Sequence, residues 1–308
     1  MGFLGPAVQL KAVDGVTLKI RKGEILGLVG ESGSGKTTLG RAAIGLQKVS
    51  SGRVVLFTEN KLLVDVSSAK GTLWKKLRGI MQMIFQDPFT SIDPNMKVFD
   101  VLRIPLEVHG IKNKKQLEFK IVIALGQVGL PTDVLKSYVF ELSGGQRQRL
   151  GIARTLSLDP ILIVADEPVS MLDASIKGDI LRIICEVSDK LHIAFLFITH
   201  EMAVARLISD RIAVMYLGQV VELGASEAVV STPLHPYTKA LLQATPKIDP
   251  SMRNVLKEIA IRKNESSDKD PGGCKFHPRC PYVMNVCVKE VPPLKEKEIG
   301  HSVACWLY

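Results

Sequence analysis

The sequence predicts an α/β fold built on a mostly parallel sheet covered by helices on both faces. Three apolar runs, "GEILGLVG" (23–30), "ILIVAD" (161–166) and "AFLFITH" (194–200), have the near-continuous hydrophobicity of strands buried on both sides. Helical periodicity separates them: "KTTLGRAAIGL" (36–46) follows the first, and "ASIKGDILRIICEVSDKL" (174–191) lies between the other two. Buried strands alternating with helices call for parallel pairing, because each helix carries the chain back across the sheet.

The remaining elements follow in order. The segment from 90 to 150 has two helical patterns, "VFDVLRIPLEVHG" and "KKQLEFKIVIALGQVGL", ahead of "LSGGQRQRLGIART", and no strand pattern; it is a helical insertion between strands. "DRIAVMYLGQVVELG" (210–224) is a hairpin with Gly218 in its turn, and "HPYTKALLQA" (235–244) a helix. From Pro246 the composition becomes polar and rich in Pro and Gly, with "RKNESSDKDPGG" as a flexible link. The domains expected are therefore 1–245 and a small extension, 246–308.

Composition narrows the class. Of 308 residues, 46% are hydrophobic and 23% charged, which suits a globular chain with a sizeable core. No apolar run is long enough to span a bilayer, and the start lacks the layout of a signal peptide. The net charge is +9, but Lys and Arg are scattered rather than blocked, as on a solvated surface with a mild positive bias. Five cysteines without an export signal argue for reduced thiols rather than disulfides. Cys185, within a helical pattern, reads as a buried structural thiol.

Three stretches carry chemistry. "GESGSGKT", Gly30 to Thr37, fits G-x-x-x-x-G-K-[ST] at every fixed position and lies between a strand and a helix. Glycines there let backbone N–H groups converge on phosphate oxygens, and the helix turns its positive end to the same anion. Lys36 would meet the β and γ phosphates, and Thr37 would ligand Mg²⁺. "ILIVADEP" ends a strand in two acids: Asp166 at the tip can hold Mg²⁺ through water, and Glu167 can act as general base. In "LSGGQRQR", Ser143, Gly144 and Gly145 precede a helix start, either as a second anion-binding constellation or as a plain helix cap.

Taken with the phosphate loop, "LSGGQRQR" resembles the signature motif of ABC-type ATPases, and the resemblance covers about residues 10–245. It implies an ABC-type nucleotide-binding domain of the P-loop NTPase class, with a mostly parallel core, an antiparallel β subdomain and a helical subdomain at about 90–155. It implies that Gly30, Ser32, Gly33, Ser34, Gly35, Lys36, Thr37, Thr38 and Asp166 bind ATP, with Mg²⁺ held by Thr37, Gln86 and Asp166. Gln86 in "IFQDP" resembles the Q-loop glutamine, and His200 in "ITH" the switch histidine that contacts the γ-phosphate. With Glu167 these form the implied catalytic set. Asp173 in "SMLD" resembles the D-loop aspartate, with Met171 where alanine is usual. Ser143, Gly144, Gly145 and Gln146 would close over a nucleotide held by a second subunit, so the resemblance implies dimerisation. The aromatic residue that stacks on adenine in that family has only Phe3 as a candidate, which implies a start that is late relative to the family.

Longer phrases narrow the branch. "IFQDPFTSIDPNMKV", "DEPVSMLDASI" and "HPYTKALLQATP" look like the ATPase subunits of oligopeptide and dipeptide importers, most like the second, F-type, member of the pair; nickel importers share most of them. That resemblance implies peripheral residence on the cytoplasmic face of the membrane, with two transmembrane permease subunits and a second ATPase subunit, identical or sibling. An extracytoplasmic solute-binding protein would act indirectly, with no nucleic-acid partner. "DPFTSIDPN" would begin the groove for the permease's cytoplasmic helix. The competing function is a soluble ABC ATPase acting on nucleic acid; such proteins usually carry two cassettes or a long coiled-coil insertion, and this chain shows one cassette and no such insertion.

The end of the chain carries "GGCKFHPRCPYVMNVC" and "GHSVAC", placing Cys274, Cys280, Cys287 and Cys305 within thirty-five residues. Four thiolates suit Zn²⁺ or an iron–sulfur cluster, and the spacing lacks the C-x₂-C knuckles common in zinc sites. Four reduced thiols packed as small hydrophobes are the plain alternative. The tail resembles the C-terminal extension of the same importer subunits, which implies a 4Fe-4S cluster on the four cysteines, with Zn²⁺ as the alternative.

Overall fold

The computed structural model describes residues 11–57, 63–244 and 271–308. Phe3 and most of the polar link after Pro246 lie outside them. β1 (Ile25–Val29) is buried along its whole length and runs into the loop before α1 (Lys36–Ala43). A small antiparallel pair, β2 (Val55–Phe57) and β3 (Leu63–Asp65), is followed by α2 (Gly71–Ile80) and then directly by β4 (Met81–Ile84). Four helices come next: α3 (Pro88–Ser91), α4 (Val98–Val108), α5 (Lys114–Gln127) and α6 (Gly144–Leu156). β5 (Leu162–Asp166), α7 (Ala174–Leu191) and β6 (Ala194–Thr199) then alternate as expected. α8 (Met202–Ile208) leads to β7 (Arg211–Tyr216) and β8 (Gln219–Ala225), followed by α9 (Ser226–Ser231) and α10 (Pro236–Ala244). The tail contributes α11 (Asn285–Lys289), β9 (Lys295–Glu298) and β10 (His301–Val303).

The chain forms two compact units. One comprises Lys19–Leu26 and Leu39–Thr199; the other has Gly27–Thr38, His200–Tyr308 and the residues up to Leu18. In the first unit β4, β5 and β6 pair in parallel, with Met83 opposite Val164 and Val164 opposite Leu196. Ile163, Val164 and Ala165 are fully buried, as a strand covered on both faces requires. α7 turns Ile180, Ile184 and Val187 inward, and each side chain so buried contributes about 1.5–3 kcal/mol. Cys185, on the same helix, is half-buried rather than buried.

In the second unit β7 and β8 form the expected hairpin; its two turn residues, Leu217 and Gly218, both have positive φ (42° and 83°), which matches the twist of the strands. The tail extends this sheet, since β10 pairs with β8 and β9 with β10. Val29, Ile212, Val214, Tyr216 and Tyr237 share one apolar cluster with Phe276 and Cys280 of the tail. Beside it lies a buried polar knot. Glu222, fully inaccessible on β8, accepts hydrogen bonds from the backbone N–H groups of Leu234 and His235 and from His301 Nε2, each at 2.8 Å. His235 Nδ1 accepts from the N–H of Tyr237, and burial holds its pKa down at about 3.

Candidate active site

The phosphate loop belongs to the second unit, and its geometry follows from its glycines. A Cβ on Gly30 would stand 2.1 Å from the carbonyl oxygen of Met215, and one on Gly35 equally close to that of Ala12. Gly35 and Gly33 also have φ of 99° and 79°, which L side chains rarely adopt. Lys36, 5% exposed, donates from Nζ to the carbonyls of Gly30 and Glu31 at 2.8 Å and to Ser34 Oγ at 3.4 Å. The ammonium group thus sits in the mouth of the loop, where a polyphosphate would meet it. Ser34 is buried and Ser32 exposed, while Thr37 and Thr38 occupy the first turn of α1, half-buried.

The acids of "ADEP" belong to the first unit. Asp166 ends β5 and is 4% exposed. Glu167 follows at φ 47°, a left-handed backbone that costs a non-glycine residue on the order of 1–3 kcal/mol and is commonest where function over-determines the chain. Its N–H donates to Ile198 O at 2.9 Å, and its carbonyl accepts from the Ser170 hydroxyl at 3.0 Å. Gln86, exposed beyond β4, donates from Nε2 to Glu167 Oε2 at 3.2 Å. Two implied catalytic residues separated by 81 positions are thereby in direct contact. His200, the first residue after β6, is exposed.

Ser143 is the N-cap of α6. Its hydroxyl accepts from Gln146 N at 3.3 Å, and its own N–H donates to Gln146 Oε1 at 2.9 Å, so the motif forms a capping box at the start of α6, as its helix-cap reading expects. Ser143 remains exposed, and Gly144 opens the helix. A Cβ on Gly145 would meet Ile176 Cγ2 at 2.9 Å. Asp173 precedes α7 as an exposed residue that makes no side-chain cap.

The four tail cysteines lie within electrostatic reach of one another. Burial pushes the Cys274 thiol up to about 11, and the charges of Cys287, Cys305 and Cys280 add to the rise. Cys305 moves the same way, first through burial and then through Cys280 and Cys287. Among the described residues, no group of three or more His, Cys, Asp or Glu side chains is assembled as a metal site. The donors have the right chemistry, but not ligating geometry.

Sequence reasoning missed the residues that surround Glu31. Its N–H donates to Tyr237 Oη at 2.9 Å, and its carboxylate receives both Arg279 Nη atoms, at 2.9 and 3.0 Å. The only local signal was an acid at a variable position of the loop motif; a partner 248 residues away leaves no local pattern.

Solved structures with this architecture are ATP-binding cassettes. The dimeric, post-hydrolysis structure of the cassette MJ0796 bound to ADP and Pi is 25% identical, with a TM-score of 0.60 over 70% of this chain and 90% of that one. CbiO1 of Clostridium perfringens, part of the transporter complex cbiONQ, is 27% identical, with a TM-score of 0.63 over 72% and 84%. Fold and site together define an ATP-hydrolysing cassette of the ABC type. The ABC transporter family model matches residues 13–170, and the model for the oligopeptide/dipeptide transporter C-terminal region matches 221–287. The oligopeptide transport ATP-binding protein AppF of Bacillus subtilis (strain 168) is 42% identical over 302 residues, 97% of this chain and 90% of AppF. The chain belongs to the ABC transporter ATP-binding family, in its oligopeptide/dipeptide branch.

Proposed function

We propose that this chain is the ATPase of a peptide importer, converting ATP binding and hydrolysis into dimer closure and opening that membrane subunits follow. The observation that carries this is the joint presence of a complete phosphate loop, the Gln86–Glu167 contact and a C-terminal region of the oligopeptide/dipeptide type. In this reading Lys36, Ser32, Ser34, Thr38 and the loop amides bind the phosphates, while Thr37, Gln86 and Asp166 hold Mg²⁺. Glu167 polarises the attacking water, and His200 contacts the γ-phosphate. Ser143, Gly144, Gly145, Gln146 and Asp173 act on the nucleotide of the second cassette, identical or sibling. Residues 1–245 form the ATPase domain and 246–308 the extension. Among the described residues no helix is long and apolar enough to cross a membrane. In this reading, which rests on the family, two permease subunits supply the passage, fed by an extracytoplasmic binding protein. The ATPase works from the cytoplasmic face.

Proteoliposomes holding the permease and this ATPase, with ATP inside and the binding protein outside, are expected to take up labelled oligopeptide. Uptake of Ni²⁺ with no peptide movement would move the chain to the nickel importers instead.

In the tail, Cys274, Cys280, Cys287 and Cys305 would hold a 4Fe-4S cluster, whose binding would have to draw together donors that are not assembled as a metal site among the described residues. Four soft donors gathered on one short segment support this reading. Metal binding would displace the protons that burial now favours on Cys274 and Cys305, so loading is stronger at higher pH. Anaerobically purified protein is expected to contain iron and acid-labile sulfide in about equal amounts, near four each. Stoichiometric zinc without sulfide would replace the cluster by a structural zinc site.

A further inference from the structure

The extension does more than end the chain, because two of its residues reach the phosphate loop's own framework. Arg279 forks onto the Glu31 carboxylate at 2.9 and 3.0 Å while its guanidinium lies 5.7 Å from the ring centre of Tyr216 and 5.8 Å from that of Phe276. Tyr216, Tyr237 and Phe276 pack mutually, with centroids 4.5 to 5.5 Å apart, so the arginine is held from below. Glu31 is in turn fixed at each of its polar groups: N–H to Tyr237, carbonyl to Lys36, carboxylate to Arg279. Four residues before Arg279, Lys275 donates to the carbonyl of Leu217 at 2.9 Å and pairs with Asp14 at 3.1 Å. The next residue, Gly218, donates its N–H to the carbonyl of Ser34, within the loop, at 2.8 Å.

We infer that Arg279 is a positioning residue for nucleotide binding: through Glu31 the C-terminal extension holds the phosphate loop in the conformation that receives ATP. The loop binds through backbone N–H groups that must converge before the ligand arrives, and anything that narrows its conformations in advance raises affinity. The Glu31 side chain is 42% exposed and that of Arg279 27%, so water screens part of the attraction; the bidentate geometry and aromatic support set the angle of the fork rather than a large energy. The connection rests on the nucleotide site and the family shown above, and stands whether or not the cysteines carry a metal.

The test uses the full-length protein, titrated with a fluorescent ATP analogue and assayed for ATP hydrolysis. Arg279→Ala is expected to weaken binding about 5-fold and to raise KM by the same factor, with kcat within about 2-fold of the parent. Glu31→Ala should weaken binding similarly, and the double variant no further than either single change. Arg279→Lys, which keeps the charge and loses the fork, should fall between. Thermal melting of each variant confirms folding; should Arg279→Ala fail to fold, the Lys and Glu31 variants carry the comparison. Parent-like ATP affinity in folded Arg279→Ala, or losses that simply add in the double variant, would overturn the inference.

Discussion

Glu167→Gln is expected to lower kcat for ATP hydrolysis by about 10²–10⁴-fold while leaving ATP binding in place. The amide fills the same space and can still meet Gln86 Nε2, which lies 3.2 Å from the carboxylate, so the local fold should survive. What is lost is the oxygen that can take a proton from water. The left-handed backbone at Glu167 is tied down by Ile198 and Ser170, so the substitution should leave the main chain in place. ATP-bound dimers should therefore accumulate, visible as a faster-eluting species in size-exclusion chromatography with ATP. Single-turnover hydrolysis within tenfold of the parent would remove Glu167 from the role of base.

Glu222→Ala should produce the largest loss of stability in the extension and the sheet it joins. The carboxylate is fully buried and is the shared acceptor for Leu234 N, His235 N and His301 Nε2. Removing it strands two buried donors, on His235 and His301, and a half-buried one on Leu234, and opens a void beside β10, which should cost about 3–5 kcal/mol. Melting should move down by on the order of 10 °C. Glu222→Gln, which keeps one acceptor oxygen and the volume, should lose distinctly less. A melting curve for the Ala variant within about 2 °C of the parent would show that the knot is not holding the tail.

Much of the core was legible because its elements are long or strongly patterned. The helix expected at 174–191 has those bounds in the structure, and the three buried runs are strands. β4 escaped notice because Met81 follows α2 with no turn residue between them, and four residues, Gln82 among them, are too few for periodicity to separate helix from strand. β9 is charged at every position, so neither alternation nor apolar content marks it. At the site, the residue types of the loop and of "ADEP" declared their chemistry, since each follows from a short spacing. Gln86 was placed at the site only through family likeness, its contact with Glu167 was not foreseen, and the hold on Glu31 is a tertiary contact with no local signature. Cys185 was misjudged because periodicity places a residue on a helix face but does not say how deeply its neighbours cover it.

The outermost strand of the extension, "KEKE" at Lys295–Glu298, has all four side chains exposed and follows β10 at the rim of its unit's sheet. An open strand edge offers a row of unpaired backbone groups to any passing chain, and alternating lysine and glutamate make that docking costly for both strands. A chain cut before β9 would leave β8, three of whose first four residues are buried and apolar or acidic, with its edge bare. The charged rim thus leaves the last edge of this sheet unattractive to another strand. A chain cut before β9 would lose that cover together with His301, the partner of buried Glu222, so its precipitation would report an open edge and a weakened knot together.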